Sequence, residues 1–195
     1  MTLIKICGMT RPEDAALATD LGADFIGFIF VKESPRCVTP ERARELAGGI
    51  RTQRPSRVGV FRDTSAREIN TIARTAGLDL VQLHGNEADA MVSAIELPCI
   101  KAVRVTEALP DTHTSAAWLM FDTGGGTGRT FDWSLLENYP RTTPFFLAGG
   151  LTPDNVADAI RIARPDAIDL SSGVESAPGI KDPDKMKSLF ARVTR

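Results

Sequence analysis

"DFIGFIF", Asp24 to Phe30, leads straight into Val31, so that from Phe25 onward the chain runs almost without a polar side chain. A strand with one wet face alternates apolar and polar residues. An unbroken apolar run is what a strand needs when helices cover its sheet. The stretch therefore predicts a buried, parallel strand, and the rest of the chain must supply its neighbours and their cover.

Seven more short runs have strand character: "LIKIC", "RVGVF", "LVQLH", "CIKAVRV", "WLMFD", "FFLAG" and "AIDLS". Most are separated by segments of helical periodicity. Thr10 with Glu13, and Ser65 with Glu68, have capping-box spacing, while Thr39-Pro40, Thr152-Pro153 and Asp182-Pro183 put a cap before a proline at the first helical position. Asp132 reads as the cap of a short helix after it. Pro110 and several Thr and Ser residues interrupt the connection from Thr106 to Ser115, and the piece after Trp133 is only about two turns long, so the fifth and sixth helices are trimmed. Eight βα units predict an α/β fold, a single-domain (β/α)8 TIM barrel over residues 1–195. An open doubly wound sheet is the alternative, but its first βα turn often carries a glycine fingerprint that "KICGMTRP" lacks.

The formal charge is -2, with no run of Lys or Arg able to track a phosphate backbone or an anionic membrane, so nucleic acid and membrane are not expected partners. No apolar stretch reaches the roughly 20 residues of a membrane span, and the N-terminal "MTLIKICGMTRPEDA" has no secretory h-region. A cytoplasmic location is expected. Cys7, Cys37 and Cys99 are too few and too widely spaced for a disulfide framework or zinc pattern, and with only His84 and His113 no metal site is expected.

In such a barrel the βα loops converge at the C-terminal ends of the strands, where active sites sit. The chain places Cys7, Arg36, Asp63, His84, Arg104, Asp122, Gly149-Gly150 and Ser171-Ser172-Gly173 there. "LAGGL" and "SSGVE", after the seventh and eighth strands, bring bare backbone N–H groups to the usual phosphate grip of the barrel. Tight turns alone would also use these glycines. By strand parity Lys5 shares a face with Cys7, and a buried ammonium needs a partner, for which Asp169 has the right parity. Cys7 is either a small buried hydrophobe or a base, and Asp122 either a turn-former or an acid. If both point inward they face each other across the barrel, which is what a cofactor-free isomerisation requires.

The motifs "KICGMT", "SPR" at Ser34 to Arg36, "VGVF", "QLHG", "FDTGGGTGRTFDW", "LAGGL" and "DLSSGVESAPGIKD" stand in one order along almost the whole chain. This set resembles the phosphoribosylanthranilate isomerase family of tryptophan biosynthesis. The resemblance implies an Amadori rearrangement of N-(5-phosphoribosyl)anthranilate to 1-(2-carboxyphenylamino)-1-deoxyribulose 5-phosphate without cofactor or metal. It implies Cys7 as general base, Asp122 as general acid and Arg36 as the grip on the anthranilate carboxylate. His84, Asp169, Gly149, Gly150, Ser171, Ser172 and Gly173 are the further expected contacts of a phosphosugar, in a monomer or homodimer. The glycines after Asp122 are expected to form a loop over the substrate. Asp122 must then be protonated and Cys7 ionised, and the expectation is that Phe121 raises the first pKa and Lys5 lowers the second. The rivals are a histidine-pathway aminoaldose isomerase, which has an aspartate at the place of Cys7, indole-glycerol-phosphate synthase, and a non-catalytic phosphate-binding barrel.

Overall fold

The computed structural model describes residues 1–48, 55–124, 128 and 130–193. The apolar run that begins at Phe25 forms β2 (Phe25–Ile29), between β1 (Leu3–Cys7) and β3 (Ser56–Phe61). β4 (Leu80–Leu83), β5 (Cys99–Arg104), β6 (Trp118–Asp122), β7 (Phe145–Leu147) and β8 (Ala167–Leu170) follow in order, and β8 pairs back onto β1. All pairs are parallel and the eight strands close into a barrel. The chain is a single-domain (β/α)8 barrel.

Strand alternation sorts the side chains into two apolar layers. One packs inside the barrel, around Phe25, Val58, Ile100, Met120, Phe146 and Ala167. Phe25, Trp118 and Phe146 meet at ring-centroid distances of 5.0–6.3 Å. The other layer, including Ile4, Ile26, Phe28, Phe61, Phe121 and Phe145, lies between the strands and the helices. Phe28 and Phe25 thus bury on opposite sides of β2, which is why its sequence shows no polar alternation.

The cover consists of α1 (Pro12–Asp20), α2 (Pro40–Gly48), α3 (Ala66–Ala76), α4 (Asp89–Ala94), α5 (Val156–Ala163) and α6 (Pro183–Arg192). Ser65 caps α3 by accepting from the Glu68 N–H at 3.3 Å, Thr39 accepts from Arg42 N–H at 3.1 Å, and Asp182 caps α6. Asp132 caps a 3-10 turn, Trp133–Asn138, which is all the helix of the sixth unit among the described residues. The fifth connection, residues 105–117, has no helix; Asp89 holds it by accepting from Ser115 N–H and the Thr114 hydroxyl.

Two expected helix starts differ. The α1 cap position is Arg11, without a side-chain bond, because the Thr10 hydroxyl donates instead to the Gly179 carbonyl across the molecule. Thr152 does not start a helix at Pro153: Asn155 accepts from Thr152 N–H, donates to the Gly150 carbonyl, and α5 begins at Val156. At Thr10 a contact across the molecule displaces the local cap, while at Thr152 the hydroxyl still accepts from Asp154 N–H at 3.2 Å, but in a turn that precedes the helix. Beyond β8 lies a short hairpin absent from the sequence reading, β9 (Glu175–Ala177) and β10 (Ile180–Lys181).

Candidate active site

β6 ends on Asp122, which alternation turns inward with Met120 while Phe121 points into the outer layer. The carboxylate is mostly buried. His84, just beyond β4, sits with Nε2 at 3.2 Å from Asp122 Oδ2, and Gly124 N–H donates to Oδ1 at 3.1 Å. Gln82, two residues before His84 on the same face, places Nε2 at 2.8 Å from His84 Nδ1 and 3.2 Å from Met120 Sδ. With the Gln82 amide donating to Nδ1, His84 carries its hydrogen on Nε2 and donates it to Asp122.

Burial pushes the Asp122 carboxyl upward, but His84 and the N–H groups of Gly124 and Thr123 outweigh it and hold the pKa below its ordinary value. This corrects the sequence expectation. Phe121 does not raise the group, because it faces the other side of the strand.

Across the barrel, Lys5 Nζ donates to Asp169 Oδ1 at 2.9 Å from a fully buried position. The pairing expected from parity is present. Cys7 stands one layer above, and Gly27 on β2 makes room for both: a Cβ there would lie 2.6 Å from Cys7 Sγ and 3.2 Å from Lys5 Nζ. Burial raises the Cys7 thiol above its ordinary value; Lys5 opposes this without reversing it. The expected thiolate-favouring effect of Lys5 exists but loses to desolvation. For Lys5 itself, burial pulls downward, and Asp169 with Cys7 overcomes it and raises the pKa.

Cys7, Arg36, Gln82, His84, Asp122, Asp169, Ser171 and Ser172 share the wall of one cavity of about 300 Å³. A smaller one, about 70 Å³, adjoins it at Asp122, Asp169, Ser171 and Ser172, and is otherwise lined by Thr123, Gly128, Gly149, Gly150 and Gly173 together with Ala148, Leu151 and Leu170. Gly149 and Gly150 have φ of +85° and +64°, the left-handed region that glycine adopts without a Cβ penalty. Ser171 Oγ is buried there without a hydrogen-bond partner among the described residues, as a group awaiting a ligand would be. A third cavity of about 430 Å³ opens on the β4–β5 side, where Asp63 and Arg104 stand apart from the central group. Asp122 lies in the wall of all three. The expected substrate loop falls largely on residues 125–127 and 129, outside the described residues.

Arg36 lines the central cavity with its fork already engaged: Nε and Nη2 donate to Glu175 Oε1 and Oε2 at 2.9 and 2.6 Å. Glu175 also accepts from Lys181 Nζ at 2.9 Å. Gln82, Glu175 and Lys181 were missed in the sequence. Gln82 was readable from its parity with His84; Glu175 and Lys181 sit on strands too short to show a period.

No helix among the described residues is long and apolar enough to cross a membrane, and no cluster of three His, Cys, Asp or Glu side chains gathers as metal ligands. The family model described as N-(5'phosphoribosyl)anthranilate (PRA) isomerase matches residues 4–192. The N-(5'-phosphoribosyl)anthranilate isomerase of Pseudomonas fluorescens is 44% identical over 97% of this chain and 97% of its own, and that of Paracoccus denitrificans 42% identical over 98% and 96%. The crystal structure of phosphoribosyl anthranilate isomerase from Thermus thermophilus superposes with a TM-score of 0.92 at 37% identity, covering 98% of both chains. A phosphoribosyl anthranilate isomerase in complex with reduced 1-(o-carboxyphenylamino)-1-deoxyribulose 5-phosphate does so with a TM-score of 0.87 at 36% identity, again over 98% of both. With matches of this length and an acid, a thiol and two glycine loops gathered at the strand ends, the chain belongs to the N-(5'-phosphoribosyl)anthranilate isomerase family.

Proposed function

We propose that the protein converts N-(5'-phosphoribosyl)anthranilate to 1-(2-carboxyphenylamino)-1-deoxyribulose 5-phosphate in tryptophan biosynthesis, with Asp122 as general acid and Cys7 as general base. The observation that carries this reading is that both groups line one cavity, which continues into the small-residue cavity of the seventh and eighth loops. A phosphosugar fits that path. Its phosphate sits among Gly149, Gly150, Ser172 and Gly173, its reacting carbons lie between Cys7 and Asp122, with His84 and Asp169 beside them, and its aromatic carboxylate reaches Arg36.

In the reaction, protonated Asp122 donates to the ribose ring oxygen, and the amine nitrogen pushes the ring open to a Schiff base. Cys7 as thiolate then removes the C2 proton, leaving an enolamine that tautomerises to the ketone. Donor and acceptor on opposite sides let the two transfers proceed without either group moving.

The resting site holds the opposite arrangement, a neutral thiol and an ionised carboxylate. Both arrangements contain the same number of protons. The productive one is therefore reached by shifting one proton from Cys7 to Asp122, with no net uptake.

Every assigned group comes from one chain, so a monomer or a homodimer serves, and the three free cysteines suit a reducing cytoplasm. The test is spectroscopic turnover of the anthranilate substrate by the purified protein. Consumption of substrate supports the isomerase; binding of the reduced product analogue without turnover points instead to a phosphate-binding barrel.

A further inference from the structure

The hairpin β9–β10 holds two members, Glu175 and Lys181, of a charge chain whose far end is Arg36. Lys181 is 1% exposed, and its Nζ donates to Glu175 Oε1 at 2.9 Å, to the Cys7 carbonyl at 2.6 Å and to the Ser171 carbonyl at 3.3 Å. Three acceptors match the three hydrogens of an ammonium. Glu175, also buried, spends both oxygens on the Nε and Nη2 edge of Arg36. The hairpin is itself tied down: Lys181 N–H donates to Asp14 Oδ2 at 3.0 Å and Lys185 Nζ to the Glu175 carbonyl at 2.7 Å.

We propose that Glu175 and Lys181 are positioning residues for carboxylate recognition, Glu175 by fixing the Arg36 guanidinium and Lys181 by keeping the cluster cationic. This rests on Arg36 being the carboxylate grip. Guanidinium donors form two usable edges; Glu175 occupies one, and among the described residues Nη1 has no partner, so the Nη1–Nη2 edge is left for a ligand carboxylate. An Arg36–Glu175 pair alone is neutral and offers an incoming anion little attraction. Lys181 brings the trio to a net charge of +1. The same ammonium joins the ends of β1 and β8 through the Cys7 and Ser171 carbonyls, so the carboxylate grip, the base and the phosphate loop share one anchor.

The test is calorimetric binding of two ligands, the reduced product analogue and its counterpart lacking the ring carboxylate, together with steady-state kinetics. Glu175→Gln is expected to weaken the carboxylated ligand about tenfold, as loss of a charged hydrogen-bonded anchor implies, and the other ligand less than about twofold. KM is expected to rise while kcat stays within about threefold. Lys181→Gln is expected to show the same selectivity, and if it fails to fold, Glu175→Gln decides alone. Arg36→Lys is the control for the underlying reading. If Arg36→Lys is carboxylate-selective and Glu175→Gln weakens both ligands equally or neither, the positioning role is overturned and the grip stands. If Arg36→Lys itself shows no selectivity, both fall.

Discussion

His84 Nε2 stands 3.2 Å from Asp122 Oδ2, and the hydrogen bond it donates keeps the carboxyl at the end of β6 ionised despite its burial. A group meant to give a proton is thus held in its acceptor form, while the group meant to take one is held as a neutral thiol. Such a site works through its minor protonation state, and its pH dependence follows from the two directions. Below the lowered pKa of Asp122 the thiolate fraction of Cys7 keeps falling without compensation. Above the raised pKa of Cys7 the protonated fraction of Asp122 does the same. Between them the product of the two fractions is constant.

Once the titration of the substrate's own phosphate, with its pKa of about 6, is divided out, the expected kcat/KM profile is therefore flat from about pH 5 to pH 9, since the Asp122 value lies below its ordinary 3.8 and that of Cys7 above its ordinary 9.0. In His84→Asn the burial effect on Asp122 loses its main opponent, and the acid limb moves to higher pH. A wild-type limb inside that window, or an unmoved limb in the variant, would contradict this electrostatic account.

Cys7→Ser is expected to fold and bind the product analogue while kcat falls about 10²–10⁴-fold, because an alkoxide is far harder to form than a thiolate. Turnover close to wild type would remove the thiol from the mechanism.

Gly27→Ala tests the packing that lets Cys7 and Lys5 lie side by side. The new Cβ would meet Cys7 Sγ at 2.6 Å and Cys7 Cα at 3.1 Å, and a backbone contact of this kind cannot be relieved by a rotamer change. A stability loss of about 1–3 kcal/mol by denaturant unfolding is expected, together with reduced kcat. An unaffected enzyme would show that β1 and β2 have slack there.

Gly150→Val places a β-branched residue at φ +64° in the wall of the small cavity. It is expected to raise KM strongly with a smaller change in kcat, since a side chain there blocks close approach of the phosphate. Equal affinity for phosphorylated and dephosphorylated ligands in the wild type would relocate the phosphate.

The barrel was legible because its signal is repeated: apolar runs such as Phe25–Val31 and capped helix starts such as Ser65 and Asp182 recur through the chain. The positions of Cys7, Asp122 and the Lys5–Asp169 pair followed from strand parity, which a closed sheet cannot violate. Their protonation states did not follow, because these depend on partners brought in from other strands, above all His84. The cap at Thr10 failed for a related reason: a tertiary partner, Gly179, took the hydroxyl that local spacing assigns to a helix, whereas at Thr152 a local turn, closed by Asn155 and by the Thr152 hydroxyl accepting from Asp154 N–H, delays the helix to Val156. Glu175 and Lys181 lie on strands of three and two residues, where no periodicity exists to read.

The most direct measurement of the central claim is the steady-state kinetics of Asp122→Asn, with circular dichroism to verify folding and calorimetry to follow product-analogue binding. An amide is nearly isosteric with the carboxyl and keeps one acceptor oxygen for the Gly124 N–H, though its NH2 cannot accept from His84, so the analogue is expected to bind within about tenfold of wild type while kcat falls about 10²–10⁴-fold. A change in KM alone, with kcat preserved, would make Asp122 a binding or structural residue and contradict its role as the proton donor.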